Sequence, residues 1–169
     1  MKQLRGSKLK KFHKAFELQD IEIVILLDNI EYARNVASVF RIADAIKASK
    51  VILTGVTKTP PFGKELSKVS RSKETKVEWE YVEHSVDAAK RLKEEGYQLI
   101  AIEIAEGAIP YKEFKYSSKV CFIVGSEMNG ISQKLLDEIP NAVFIPMAGI
   151  GKSLNVHVSL AVVACFAST

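Results

Sequence analysis

Short, almost unbroken apolar runs alternate along this chain with segments whose apolar residues recur every three or four positions. Ile21 to Leu27, interrupted only by Glu22, reads as a strand buried on both faces. Lys50 to Thr54, Tyr97 to Ile104, Val120 to Val124 and Ala142 to Ile145 repeat that pattern, and Val77 to Val82 alternates as a strand containing Trp79 and Tyr81. Between strands, Val36, Val39, Phe40 and Ala43 stand at i, i+3, i+4 and i+7, which predicts a helix from about Ala33 to Ala48. Arg34, Ser38 and Arg41 then share its outer face. Ser85 to Glu95 reads as a helix closed by Gly96, Lys64 to Val69 and Ser132 to Glu138 as shorter ones, and an almost wholly apolar helix begins near Ser153. At the other end, Leu9, Phe12 and Phe16 mark one side of a helix from about Ser7 to Leu18, with Lys8, Lys11 and Lys14 elsewhere on it.

Strand and helix signals that alternate without a domain-sized break predict one α/β domain over residues 1–169. The class is Rossmann-like, a mostly parallel sheet with helices on both faces, preceded by a basic N-terminal arm over residues 1–19. With 169 residues and 47% hydrophobic composition, the chain can bury a sizeable core. Cys121 and Cys165 both sit in apolar runs, which reads as buried free thiols in a reducing cytoplasm. No apolar run approaches the length that spans a bilayer, so no membrane association is expected.

The formal net charge of +4 matters less than where it sits. Residues 1–14 carry Lys2, Arg5, Lys8, Lys10, Lys11 and Lys14 with no acid, and residues 58–76 carry Lys58, Lys64, Lys68, Arg71, Lys73 and Lys76 against Glu65 and Glu74. Elsewhere twelve basic residues face eighteen acidic ones. Two concentrated basic segments are the electrostatic footprint of a phosphate-backbone partner such as RNA.

Several familiar sites are excluded. Gly151-Lys152-Ser153 before a helix imitates the end of a phosphate loop, but Pro146 stands where that pattern needs its first glycine, and proline offers no N–H. The turn Asp28-Asn29-Ile30-Glu31 lacks a dinucleotide fingerprint. His13, His84 and His157 are scattered and the cysteines lack ligand spacing, so no metal is expected. No nucleophile elbow precedes a suitable histidine. The glycine-bearing turns after strands, Gly125 to Gly130 and Gly149 to Gly151, place a flat or anionic ligand in the second half of the chain, where glycine backbone admits close approach.

Three stretches together resemble the motifs of a known family. Asn35-Val36-Ala37-Ser38-Val39-Phe40-Arg41-Ile42-Ala43-Asp44-Ala45 is similar to the first motif of the SpoU (TrmH-type) RNA 2′-O-methyltransferases, a branch of the SPOUT superfamily. Phe122 to Ser132 resembles the second motif, and Ile145-Pro146-Met147 with Ser153-Leu154-Asn155-Val156 the third, in the same order and over about residues 20–168. The resemblance implies a deep C-terminal trefoil knot, S-adenosyl-L-methionine held there, and a homodimer whose last helix completes the site. It implies cofactor contacts at Gly125, Ile145 and Leu154, with Glu103 a lesser candidate.

It also implies an essential role for Arg41, whose guanidinium stays protonated and so suits phosphate positioning rather than proton removal. Asn35, Glu127, Ser153 and Asn155 would complete the catalytic set. Each has a plainer alternative: a salt-bridged surface arginine, an N-cap for Asn35, helix-dipole complementarity for Glu127, and capping of the last helix for Ser153 and Asn155. The chain departs from many relatives at Ala37 and Lys47, where they carry glycine, and at His157, where they carry serine. Lacking an added RNA-binding domain, it looks more like the compact tRNA-modifying members than the ribosomal ones. The rival expectations are a ribosomal RNA substrate, a non-catalytic RNA-binding module and a nucleotide hydrolase.

Overall fold

The computed structural model describes residues 2–15, 19–151 and 153–169. The first helix, α1, spans Gly6–Lys14; Phe16 and Leu18, at the end of the expected helix, and Lys152 lie outside the described residues. Then follow β1 (Glu22–Asp28), α2 (Ala33–Ala45), β2 (Lys50–Thr54), α3 (Lys64–Ser70), β3 (Trp79–Val82), α4 (Ser85–Glu94), β4 (Gln98–Ile102), β5 (Ile109–Pro110), β6 (Lys119–Gly125), α5 (Gln133–Leu136), β7 (Asn141–Phe144) and α6 (Val156–Ala167). The named strands form one sheet in the order β3-β2-β1-β6-β4-β7-β5, with every pairing parallel.

The apolar runs fall where double-sided burial requires them. Along β1, Ile23, Ile25 and Leu27 enter one core layer while Val24 and Leu26 enter the other, as Phe122 and Val124 part from Cys121 and Ile123 along β6. The first layer is roofed by α2, α3 and α6 through Phe40, Leu66, Leu160 and Val163, and the second by α4 and α5 through Ala89, Leu92 and Leu135. Parallel strands covered on both faces thus account for continuous apolar runs.

Phe122 is fully buried at the centre of β6, its ring edge-on to Tyr116 with centroids 5.9 Å apart. Truncating it leaves a cavity between sheet and α6, so Phe122→Ala is expected to cost about 3–5 kcal/mol, measured by urea denaturation. A loss below about 1 kcal/mol would mean that the layer can collapse around the gap.

Several boundaries differ from the sequence reading. The last helix begins at Val156 rather than near Ser153, because the Asn155 side chain caps it by accepting from the His157 N–H at 3.2 Å. The helix expected over Ser132–Glu138 shrinks to Gln133–Leu136, shortly before Pro140. The expected strand pattern had no place for β5, a two-residue edge strand ending in proline. Cys165 is exposed, correcting its expected burial: α6 turns Leu160, Val163 and Ala164 inward, and position 165 falls outside that stripe. Cys121 is buried as expected, and both thiols are free.

The N-terminal ends of the strands are closed by charge. Lys50 reaches Glu78 at 3.1 Å, Arg91 pairs with Glu80, and the Tyr97 hydroxyl donates to Glu22. The C-terminal ends stay open.

Candidate active site at the C-terminal ends of the strands

Because the strands run parallel, the loops leaving their C-terminal ends gather on one side, the usual ligand position in open α/β sheets. Here they enclose an open cleft of about 1440 Å³. Its walls are the segment after β4, with Glu103; the turn after β6, from Gly125 to Ile131; and the segment after β7, with Ile145, Ser153 and Leu154. All four expected cofactor residues therefore line one cavity.

The wall after β6 is built by close backbone approach. Ser126 and Gly130 exchange two backbone hydrogen bonds of 3.0 and 2.9 Å, folding the turn back on itself. A Cβ at Gly125 would lie 2.1 Å from the Gly130 carbonyl carbon, and one at Gly130 would lie 2.4 Å from Glu103 Oε2. Glu103 braces the turn from across the cleft, Oε2 accepting from the Ile131 N–H at 3.2 Å and Oε1 from the Ile104 N–H at 3.0 Å. By contrast, a Cβ at Gly149 or Gly151 would meet nothing within 4 Å. The packing that demands glycine thus lies after β6, not in the loop after β7.

Asp28, buried at the end of β1, was not singled out by its sequence. Its Oδ2 accepts from the Ser132 N–H at 2.9 Å and its Oδ1 from Asn29 Nδ2 at 2.9 Å, tying the far end of the same turn to the central strand. An acid closing the unbroken apolar run Ile23 to Leu27 is the available signal.

Beside the cleft, three distant segments join. Asn35, buried near the start of α2, donates from Nδ2 to Glu127 Oε1, and Glu127 Oε2 accepts from the Glu31 N–H at 3.3 Å. His157 Nδ1 lies 3.1 Å from Asn35 Oδ1, and its backbone N–H is held by Asn155. Burial pushes the His157 imidazole below its ordinary pKa, which favours the neutral ring. The plainer readings divide here. Asn155 does cap α6, whereas Asn35 lies inside α2, whose N-cap is Tyr32, and Glu127 stands in a turn well before α5. His157, one of the scattered histidines and a departure from the relatives' serine, is the third member of this chain.

Arg41 is not in the group. It lies exposed on α2 beyond Asn35, outside the cleft lining, and no ion pair reaches it among the described residues. Ser153 is exposed on the cleft wall.

The basic segment after β2 packs against α2 through α3. Buried Glu74 shapes it, accepting from the Ser67 hydroxyl at 2.9 Å and from the Ser70 hydroxyl. Lys73 pairs with Asp44 at 2.7 Å and Lys68 with Glu65 at 2.7 Å, while Lys58, Lys64, Arg71 and Lys76 stay exposed. Among the described residues, no group of three or more His, Cys, Asp or Glu could hold a metal, and no helix is long and apolar enough to cross a membrane.

An all-parallel sheet covered on both faces, with a glycine-tight turn on a cleft at its carboxyl end, has the layout of a ligand-binding α/β protein. Residues 22–165 match the model of the SpoU rRNA Methylase family, and the chain belongs to that family. It is 26% identical over 166 residues to the tRNA (guanosine(18)-2′-O)-methyltransferase of Thermus thermophilus, covering 96% of this chain and 82% of that protein. It is 31% identical over 140 residues to a 23S rRNA (guanosine(2553)-2′-O)-methyltransferase of Bacillus subtilis, covering 82% of this chain but 55% of that protein. The crystal structure of an AdoMet-bound rRNA methyltransferase from Sinorhizobium meliloti superposes with a TM-score of 0.78 at 26% identity, over 91% of this chain and 58% of that one.

Proposed function

We propose that this protein transfers a methyl group from S-adenosyl-L-methionine to a ribose 2′-hydroxyl of RNA, with tRNA as the substrate class. The observation that carries this reading is the convergence of Asn35, Glu127 and Asn155, from three separate segments, beside the glycine-built cleft. The cleft suits the cofactor: the backbone of Gly125, packed on that of Gly130, builds one wall, and the segments bearing Ile145 and Leu154 line the opposite one. Glu103 braces the turn and faces the same space. When bound, S-adenosylmethionine supplies an electrophilic methyl group on a sulfonium.

The chain's own residues supply placement. Arg41, charged at every working pH, holds the RNA phosphate next to the target ribose. Asn35 and Glu127 form the adjoining polar wall, and Ser153 and Asn155 face the hydroxyl from the segment after β7. The exposed cations Lys58, Lys64, Arg71 and Lys76, together with the basic arm, carry the backbone beyond the target. A tRNA substrate is favoured because the tRNA-modifying relative of Thermus thermophilus aligns with 96% of this chain, against 82% for the rRNA-modifying one of Bacillus subtilis.

The reading extends to topology and assembly. From β6 the chain passes α5 on one face of the sheet to reach β7 beyond β4, then returns in α6 on the other face to pack against α2. Such a path supports the trefoil knot, an exception to unthreaded connections. Leu154, Val158 and Phe166 leave an apolar strip exposed along and before α6, which supports a homodimer closed over that helix. The single domain and a cytoplasmic location complete the proposal.

The test is methyl transfer from labelled S-adenosylmethionine to unmodified total tRNA and, separately, rRNA, followed by digestion and mass spectrometry of the nucleosides. A 2′-O-methylated nucleoside from tRNA is the expected result; transfer to neither pool with cofactor binding intact rules against both substrate classes, and no cofactor binding rules against the methyltransferase reading. RNA affinity is expected to fall steeply as salt rises, with log K linear in log salt. A flat salt response would remove the basic segments from RNA binding.

A further inference from the structure

The carboxamide of Asn35 presents two chemically opposite ends from one planar group, and a half-turn about its last bond exchanges them. In this fold each end is spoken for. The Nδ2 group donates to Glu127 Oε1, and Oδ1 faces His157 Nδ1 at 3.1 Å. Flipping the amide would set its oxygen against the Glu127 carboxylate. A neutral imidazole has one N–H, and an acceptor at this distance places it on Nδ1, leaving the lone pair on Nε2.

The backbone that carries the ring is held in turn. His157 belongs to the first turn of α6, and its backbone N–H donates to Asn155 Oδ1 at 3.2 Å. The chain of contacts therefore runs from Asn155 through His157 and Asn35 to Glu127, whose second oxygen is taken by the Glu31 N–H. It ties the segment after β7 to α2 and to the turn after β6, three parts of the chain that meet only on folding.

We propose that His157 is a positioning residue of the transfer site: by donating Nδ1–H to Asn35 Oδ1 it fixes which end of the Asn35 carboxamide faces Glu127. The proposal rests on the methyl-transfer reading for the role of Asn35 and Glu127, but the hydrogen bond itself can be measured without turnover.

Nitrogen-15 NMR of the imidazole in the wild-type protein is expected to show the neutral Nδ1–H tautomer above the histidine titration. In parallel, His157→Asn, His157→Gln and His157→Ala are compared by kcat and KM. Asparagine places an N–H where Nδ1 stands, whereas glutamine places its amide nitrogen where Nε2 stands. Asparagine is therefore expected to stay within about twofold of wild type, while glutamine and alanine lose about three- to tenfold in kcat, the worth of one hydrogen bond. KM for S-adenosylmethionine is expected to hold. An Nε2–H tautomer, an alanine variant at wild-type kcat, or equal losses in the asparagine and glutamine variants overturns the proposal. An Nδ1–H tautomer in a protein that transfers no methyl group supports the hold on Asn35 and overturns the transfer reading instead.

Discussion

Arg41→Ala is expected to lower methyl transfer by about 10²–10³-fold, the usual effect of removing one group that stabilises a transition state, while leaving S-adenosylmethionine binding unchanged. The split follows from position. The side chain is exposed on α2 and lies outside the lining of the cleft, so its removal takes nothing from the cofactor's walls. Among the described residues no carboxylate pairs with it, so the guanidinium is available to an RNA phosphate. Labelled transfer gives the rate, and calorimetry with S-adenosylmethionine gives the binding. Arg41→Lys should fall between the two, because an ammonium keeps the charge and loses the planar fork. Wild-type turnover in the alanine variant would take Arg41 out of the mechanism, and a parallel loss of cofactor affinity would mean that it acts by shaping the cleft.

Gly125→Ala is expected to abolish most cofactor binding and to destabilise the fold by about 1–3 kcal/mol, the range for forcing an extra methyl into packed structure. The methyl group would meet the Gly130 carbonyl carbon at 2.1 Å and the Ile131 nitrogen at 2.2 Å, all of it backbone. Relief requires opening the Ser126–Gly130 turn and pulling Ile131 from Glu103 and Ser132 from Asp28. That turn is one wall of the cleft. Gly149→Ala is the matched control: its Cβ would meet nothing within 4 Å, so the melting temperature should not move. Calorimetry and thermal denaturation separate the cases. An alanine at 125 that binds S-adenosylmethionine normally would show that this wall does not hold it.

Both predictions rest on residues legible at different levels. Arg41 and Gly125 stand in stretches whose order and composition resemble family motifs, and the strands around them could be read because burial on both faces leaves no polar positions to blur the pattern. The limits of α6 and α5 were less legible, because a helix start depends on which N–H finds a partner. Asn155 settles that at Val156 through one side-chain hydrogen bond. β5 was invisible, since two residues cannot show a period and its pairing with β7 is made only by the folded sheet.

The sequence by itself determined the α/β class, the helices and every strand but β5, the two basic segments and the motifs that carry the family, because each is written in local periodicity and composition. Only the tertiary structure decided which glycines are required, that Glu103 and Asp28 clamp the turn after β6, and that His157 faces Asn35. The contacts of Glu103, Asp28, Glu127 and His157 join residues 28 to 122 positions apart. No local pattern encodes them, because they exist only once parallel pairing has brought the strand ends together.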